Sequence, residues 1–154
     1  MSEEINFCII NDTNRNLDQF LCCRIAMLSD NINEFSRYSS RHEFTFDIQG
    51  IDVCTVFNIG FTDNKKNSYI MIFDNCSESE YRNKCIDFIN TIKLRDPDYK
   101  YILMIYTNRS HEEFCDNYVF ASPANIRSVC LNVHCDEHIK MLLGCIYEII
   151  DDSI

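Results

Sequence analysis

Hydrophobic positions along this chain fall into two periods, one helical and one alternating, separated by polar loops. Ile5 to Ile10 (Ile-Asn-Phe-Cys-Ile-Ile) is a short apolar run closed by Asn11-Asp12-Thr13-Asn14, the pattern of a buried strand entering a polar loop. Leu17, Phe20, Leu21, Ile25 and Leu28 then recur at helical spacing, and Ser29-Asp30-Asn31 marks the stop. Ser29 to His42 is polar and reads as loop. Glu43 to Ile48 alternates polar with apolar, Gln49-Gly50 supplies a turn, and Ile51 to Phe57 resumes the alternation, which predicts a β-hairpin. Beyond Gly60 and the polar stretch Thr62 to Asn67, the run Tyr69-Ile70-Met71-Ile72-Phe73 predicts another buried strand closing on Asp74.

Ser77 and Glu80 have the spacing of a capping box, and Tyr81, Cys85, Phe88, Ile89 and Ile92 line one face of the helix it opens. Asp96-Pro97-Asp98 breaks that helix, and Tyr99 to Tyr106 is strand-like again. Ser110 and Glu113 repeat the capping-box spacing for a shorter helix that stops before Ser122-Pro123. Ser128 to His134 reads as the last strand. Asp136 then caps a helix whose inward stripe is Ile139, Leu142, Leu143, Ile146 and Ile150. The order βαββ, βα, βα, βα predicts one α/β domain over residues 1–154: a three-layer sandwich around a six-stranded, mostly parallel sheet. The hairpin adds one antiparallel edge strand, Glu43 to Ile48.

Composition narrows the function classes. A chain of 154 residues fits one domain, and 46% hydrophobic residues with only 3 Gly and 2 Pro favour a packed core over disorder. The net charge of -10 opposes a phosphate backbone, so nucleic acid is not an expected partner. No stretch approaches the roughly 20 apolar residues needed to span a bilayer, and Met1-Ser2-Glu3-Glu4 lacks the build of a signal peptide. A cytoplasmic, reducing location without membrane insertion is the expectation. The 10 cysteines stand mostly inside apolar runs with no C-x-x-C pair, and read as small core hydrophobes rather than a disulfide framework.

Three other chemistries could be built from these residues. Cys130, His134, Cys135 and His138 are zinc-type ligands, but their spacing matches no finger, and on a strand Cys135 already begins the next loop. No metal is expected. A cysteine nucleophile could be assembled from Cys115 or Cys135 with His111 or His134, though ten cysteines make such trios common by chance and no nucleophile elbow accompanies them. A receiver or flavodoxin-like signalling domain would explain Asp74 at a strand end but has no place for the Gln49-Gly50 hairpin.

The element order, together with Ser68 to Asp74, the helix to Ile92 and Tyr101 to Ile105, resembles the Ras-type small GTPase fold from end to end. That family wraps Gly-rich backbone around phosphates, with a Lys on the β and γ groups and a Ser or Thr on magnesium. Here the corresponding loop is Asn11-Asp12-Thr13-Asn14-Arg15-Asn16-Leu17-Asp18: it has no glycine, Leu17 stands at the Lys position and Asp18 at the magnesium hydroxyl. The D-x-x-G segment is reduced to Phe57-Asn58-Ile59-Gly60-Phe61, and only the seven residues Phe61 to Asn67 precede the next strand, too few for a helical switch. Asn108 and Arg109 echo the guanine-reading N-K-x-D motif without its Asp, and Val133-His134-Cys135 stands in for the S-A-K loop. The resemblance implies a pseudo-GTPase with no cofactor and no catalysis. It would act as an adaptor or scaffold subunit on protein partners, for example within a trafficking-adaptor or other multi-subunit complex. Its effector-loop region carries Phe35 and Tyr38, and the hairpin edge carries Phe44 and Phe46; these four are the candidate partner-binding residues.

Overall fold

The computed structural model describes residues 4–13, 16–64, 66–74, 78–107 and 125–153, with the side chains of 74, 78 and 130 left aside. Along these residues run β1 (Ile5–Asp12), α1 (Leu17–Leu28), β2 (Ile32–Arg37), β3 (Arg41–Ile48), β4 (Ile51–Ile59), β5 (Ser68–Asp74), α2 (Glu78–Arg95), β6 (Ile102–Thr107), β7 (Ile126–Cys130) and α3 (Asp136–Ser153). The strands form one sheet in the order β2-β3-β4-β1-β5-β6-β7. From β4 to β7 every pairing is parallel, while β2–β3 and β3–β4 are antiparallel.

β1 lies between β4 and β5, with Phe7 opposite Phe57 on one side and Ser68 on the other. Phe7 and Ile9 join a core with α1 and α3, whereas Cys8, between them, joins the α2 cluster on the opposite face. Protein covers both faces, so the strand has no polar face to show and Phe7 to Ile10 is an apolar run with Asn6 alone before it. β3 differs. Phe44, Phe46 and Ile48 point into the α1–α3 core, but the α2 cluster takes no residue from β3 or β4. The other face of β3 therefore carries Arg41, Glu43 and Thr45, half-buried, and exposed Asp47, with Arg41 placed 3.2 Å from Glu4 and 3.0 Å from Glu43. One covered and one open face produce strict alternation.

The hairpin turn is the one the sequence predicts. Gln49 and Gly50 both have positive φ, 53° and 84°, as a type I′ turn requires, and Asp47 Oδ1 accepts the Gly50 amide at 2.8 Å.

Four sequence expectations need correction. The sheet has seven strands, not six, because the polar stretch Ser29 to His42 contains β2. Ile32 opposes Phe46 and Glu34 opposes Thr45, so Asn33 is an extra residue, a β-bulge. The bulge puts Ile32 and Phe35 on one face at a spacing of three, which hides the strand from an alternation test. β2 is then the edge strand, and Glu43 to Ile48 is interior to the sheet. At the other side β6 begins at Ile102 rather than Tyr99, and β7 covers Ile126–Cys130, with the chain turning from Leu131 to Cys135 instead of continuing to His134. The Ser77 cap and the helix expected from Ser110 lie outside the described residues.

α2 ends at Arg95, where Asp96-Pro97-Asp98 was expected to stop it. Asp96 does more than break the helix. It is only 1% exposed, and its carboxylate accepts the Lys66 amide (2.8 Å), the Asn67 amide (3.0 Å) and the Tyr69 hydroxyl (2.9 Å). One buried anion thus ties the loop before β5 to the end of α2, and holds Lys66 at φ 63°. Burial, opposed by the Asn67 hydrogen bond and aided by Asp96, pushes the Tyr69 phenol up to about 12. Replacing Asp96 by Ala strands the buried Asn67 amide and Tyr69 hydroxyl and the part-buried Lys66 amide, so urea unfolding of Asp96→Ala is expected to show a loss of about 3 kcal/mol or more.

Candidate functional site

Parallel strands β1, β4, β5 and β6 end together, and α1 begins at the same edge, the place where open α/β sheets bind ligands. Asn11 and Asp12 finish β1. Asn11 Oδ1 accepts both the amide (3.2 Å) and the hydroxyl (2.6 Å) of Thr13, folding the start of the loop back on itself as an Asx turn. Asp12 meets Lys84 of α2 at 2.7 Å, with both side chains about two-fifths exposed, at 42% and 41%. Such a pair contributes at most about 1 kcal/mol.

The first turn of α1 decides what this edge can hold. Asn16 makes no side-chain cap, and only its carbonyl takes part, accepting the Phe20 amide at 3.1 Å. Leu17 is 4% exposed and belongs to the α1–α3 core. Asp18 accepts the Gln19 amide at 2.8 Å, so the positive end of α1 already has a carboxylate of the chain beside it. Phosphate binding at a helix start needs free amides and no competing anion.

At the end of β4 stand Asn58 and Gly60. Asn58 is 7% exposed and donates through Nδ2 to the Phe7 carbonyl at 3.1 Å and to Asn6 Oδ1 at 3.4 Å, clamping β4 to β1. Gly60 has φ 97° and donates its amide to the Ile9 carbonyl at 2.9 Å; a Cβ there would meet nothing within 4 Å, so the glycine serves backbone geometry, not a close approach. Three residues before it is Phe57, fully buried, edge-on to Phe7 at 4.8 Å and tilted against Phe44 at 5.1 Å. Thr107 closes β6 by donating its hydroxyl to the Phe73 carbonyl at 2.9 Å. Asn14, Asn108 and Arg109 lie outside the described residues.

The four candidate partner-binding residues separate into two pairs. Phe44 and Phe46 are fully buried core residues, and the expectation that they face a partner is withdrawn, because β2 covers the edge on which it rested. Phe35 and Tyr38 remain at the surface, 37% and 56% exposed. Phe35 rests on Phe44 at 4.7 Å, so it has both an anchored and an open side.

Three residues with marked environments escaped the sequence reading. Lys84 and Asp96 act through partners far off in the chain. His42 had a local signal: with Phe44, Phe46 and Ile48 it completes the even-numbered, inward face of β3.

The cysteines and histidines of the other candidate chemistries have the following surroundings. Burial pushes the thiols of Cys8, Cys22 and Cys54 up, which lowers their thiolate fraction. His111 and Cys115 lie outside the described residues. His134 sits in a turn against Phe20, not on a strand face, and His138 Nδ1 accepts the Asn132 amide at 2.8 Å. Among the described residues no group of three His, Cys, Asp or Glu side chains could hold a metal ion, and no helix is long and apolar enough to cross a membrane.

Solved structures share this architecture. Methanosarcina barkeri Roco2 RocCORdC bound to GDP matches with a TM-score of 0.61 and 13% identity, over 96% of this chain and 49% of that one. The chain therefore spans about half the length of that protein. The G domain of the T. maritima FeoB iron transporter matches with a TM-score of 0.52 and 11% identity, over 96% of this chain and 99% of that domain. The fold is GTPase-like; at these identities the likeness is of fold alone. No protein-family model matches the chain, and no curated protein matches it in sequence.

Because Leu17 is a core side chain, placing a lysine there is expected to cost stability, not to create a phosphate site. Leu17→Lys should lower the unfolding free energy by about 2–4 kcal/mol in urea titrations, with no gain in affinity for GDP by calorimetry.

Proposed function

We propose that this chain is a GTPase-like domain without nucleotide chemistry, acting as a protein–protein adaptor or scaffold subunit. The observation that carries the reading is where Leu17 and Phe57 sit. By resemblance they occupy the positions of the phosphate-binding lysine and the magnesium-positioning aspartate, and both are packed in the core, 4% and 0% exposed. Neither side chain offers a ligand atom. Asp18, at the magnesium-hydroxyl position, adds negative charge where phosphate would require its absence. Phosphoryl transfer relies almost wholly on positioned charges, so losing the lysine and both metal contacts removes its main source of rate.

The segment from Gly60 to β5 supports the same reading. Its far end is held by the buried carboxylate of Asp96, and Arg95 stacks over Phe61 at 4.3 Å from the ring centre. This short, tied connection replaces a nucleotide-sensing switch.

A partner surface is offered by β2. Its outer edge pairs with no strand among the described residues, and Phe35 and Tyr38 stand beside it. The bulge at Asn33 leaves Glu34 to Arg37 as the regular stretch that an incoming strand could extend. A trafficking-adaptor or other multi-subunit assembly is the kind of setting in which such a domain would serve.

Two experiments test the reading. Thermal melts with millimolar GTP or GDP and magnesium should superpose on the melt without ligand. A functional site with ligand about a thousandfold above its Kd would add about 4 kcal/mol and shift the midpoint upward by several degrees. For the adaptor role, capture of partners from native extract by Phe35→Ala/Tyr38→Ala, folded as judged by circular dichroism, should fall roughly tenfold or more below wild type; undiminished capture would move the contact surface away from β2.

A further inference from the structure

His42 is fully buried between β2 and the core, and neither ring nitrogen has a hydrogen-bond partner. Buried polar groups are nearly always satisfied, so an imidazole left without partners calls for a physical reason. Its surroundings are specific. The Phe35 ring of β2 stacks on it at 6.1 Å and 16°, Arg37 of β2 stands opposite it, and Phe57 of β4 flanks it on the inner side. The charged groups that face it are Arg37 and, from the first turn of α1, Asp18.

We infer that His42 is a pH-sensitive latch: the neutral ring keeps β2 seated on β3, and protonation releases β2 and uncovers the β3 edge. A neutral imidazole tolerates this site as an aromatic ring between two phenylalanines. The imidazolium brings two donors and a full charge to a place with no acceptor and with a guanidinium opposite. Burial and Arg37 both oppose the charged form, with Asp18 the smaller, favourable influence, so the ring titrates below its ordinary value of 6.5.

Among the described residues, the exposed wall beside the ring is β2. β4 and α1 are core walls, whereas β2 is exposed from Asn33 to Arg37. Besides its ladder to β3, β2 is held by surface contacts: Arg37 donates to Gln19 Oε1 at 3.2 Å, and Asn33 donates to Asp52 Oδ1 at 2.7 Å. The weakest wall around His42 is therefore the strand itself. Its departure would free the backbone edge that carries Phe44 and Phe46. The inference concerns β2 in the isolated chain and stands whether or not a partner binds there.

The sign follows from linkage. A histidine whose folded value lies below its unfolded one leaves the seated state fully stable above the unfolded value, and the stability is lost as pH falls toward the folded value. Amide hydrogen exchange, corrected for the intrinsic rate and compared at about pH 7.5 and about pH 5, should show protection of Glu34 to Arg37 and of the facing β3 amides falling roughly tenfold or more. β1 and β5 should keep theirs. In His42→Phe, which retains the stack without a proton site, protection of β2 should not depend on pH. Wild-type NMR gives an independent reading if that variant does not fold: the His42 ring and the β2 amides should titrate with one midpoint below 6.5. Loss of protection across the whole sheet at once, or a His42 titration with β2 amides unmoved, would overturn the latch.

Discussion

Unequal coverage of the sheet is the constraint from which most of this structure follows. β1, β5 and β6 have helices packed on both faces, whereas β3 and β4 contribute side chains to the α1–α3 core alone. Doubly covered strands run largely apolar, and a strand covered on one face, as β3 is, alternates. The polar face of the hairpin, with Arg41 between Glu4 and Glu43, is thus a requirement of the short connection after Gly60, not an ornament of it. A helix in that connection would need an apolar surface to sit on, and the outer face of β3, with Arg41, Glu43, Thr45 and Asp47, provides none.

The same economy explains the site. On the proposed reading, the positions that by resemblance would carry nucleotide chemistry serve packing or internal hydrogen bonds instead: Leu17 and Phe57 in the core, Asn58 as a clamp between β4 and β1, Asp18 at the start of α1. Burying an aliphatic or aromatic side chain of this size contributes about 1.5–3 kcal/mol, so returning either position to a charged residue works against the fold. On that reading, stability and nucleotide binding would compete for the same side chains.

How much could be read beforehand depended on whether the cause was local. The runs Ile5 to Ile10 and Tyr69 to Phe73 declare themselves because coverage on both faces leaves Asn6 as their one polar side-chain amide among apolar neighbours, and Gln49-Gly50 because an I′ turn demands positive φ. β2 stayed hidden because its bulge sets Ile32 and Phe35 three apart. Without that strand β3 looks like the edge, which puts Phe44 and Phe46 among the partner-binding candidates although both point into the core. The end of β7 was overrun for a related reason: Leu131 and Val133 stay buried in the α1–α3 core after pairing has stopped, so the alternation outlasts the strand. Within the site, the loss of the phosphate-loop residues was visible position by position, but the burial of Phe57 against Phe7 and Phe44 was not. Asp96 and Lys84 depend on partners about thirty or more residues away, beyond the reach of any periodicity.

The central claim is that the fold persists without its nucleotide. Its most direct test is the nucleotide content of the protein purified under native conditions in magnesium buffer, released by denaturation and quantified by ion-exchange chromatography. The account predicts guanine nucleotide far below one equivalent per chain, at the level of an unrelated control protein. A content approaching one GDP or GTP per chain would contradict it, because a site occupied through purification must hold its ligand with contacts that Leu17, Phe57 and Asp18 do not supply.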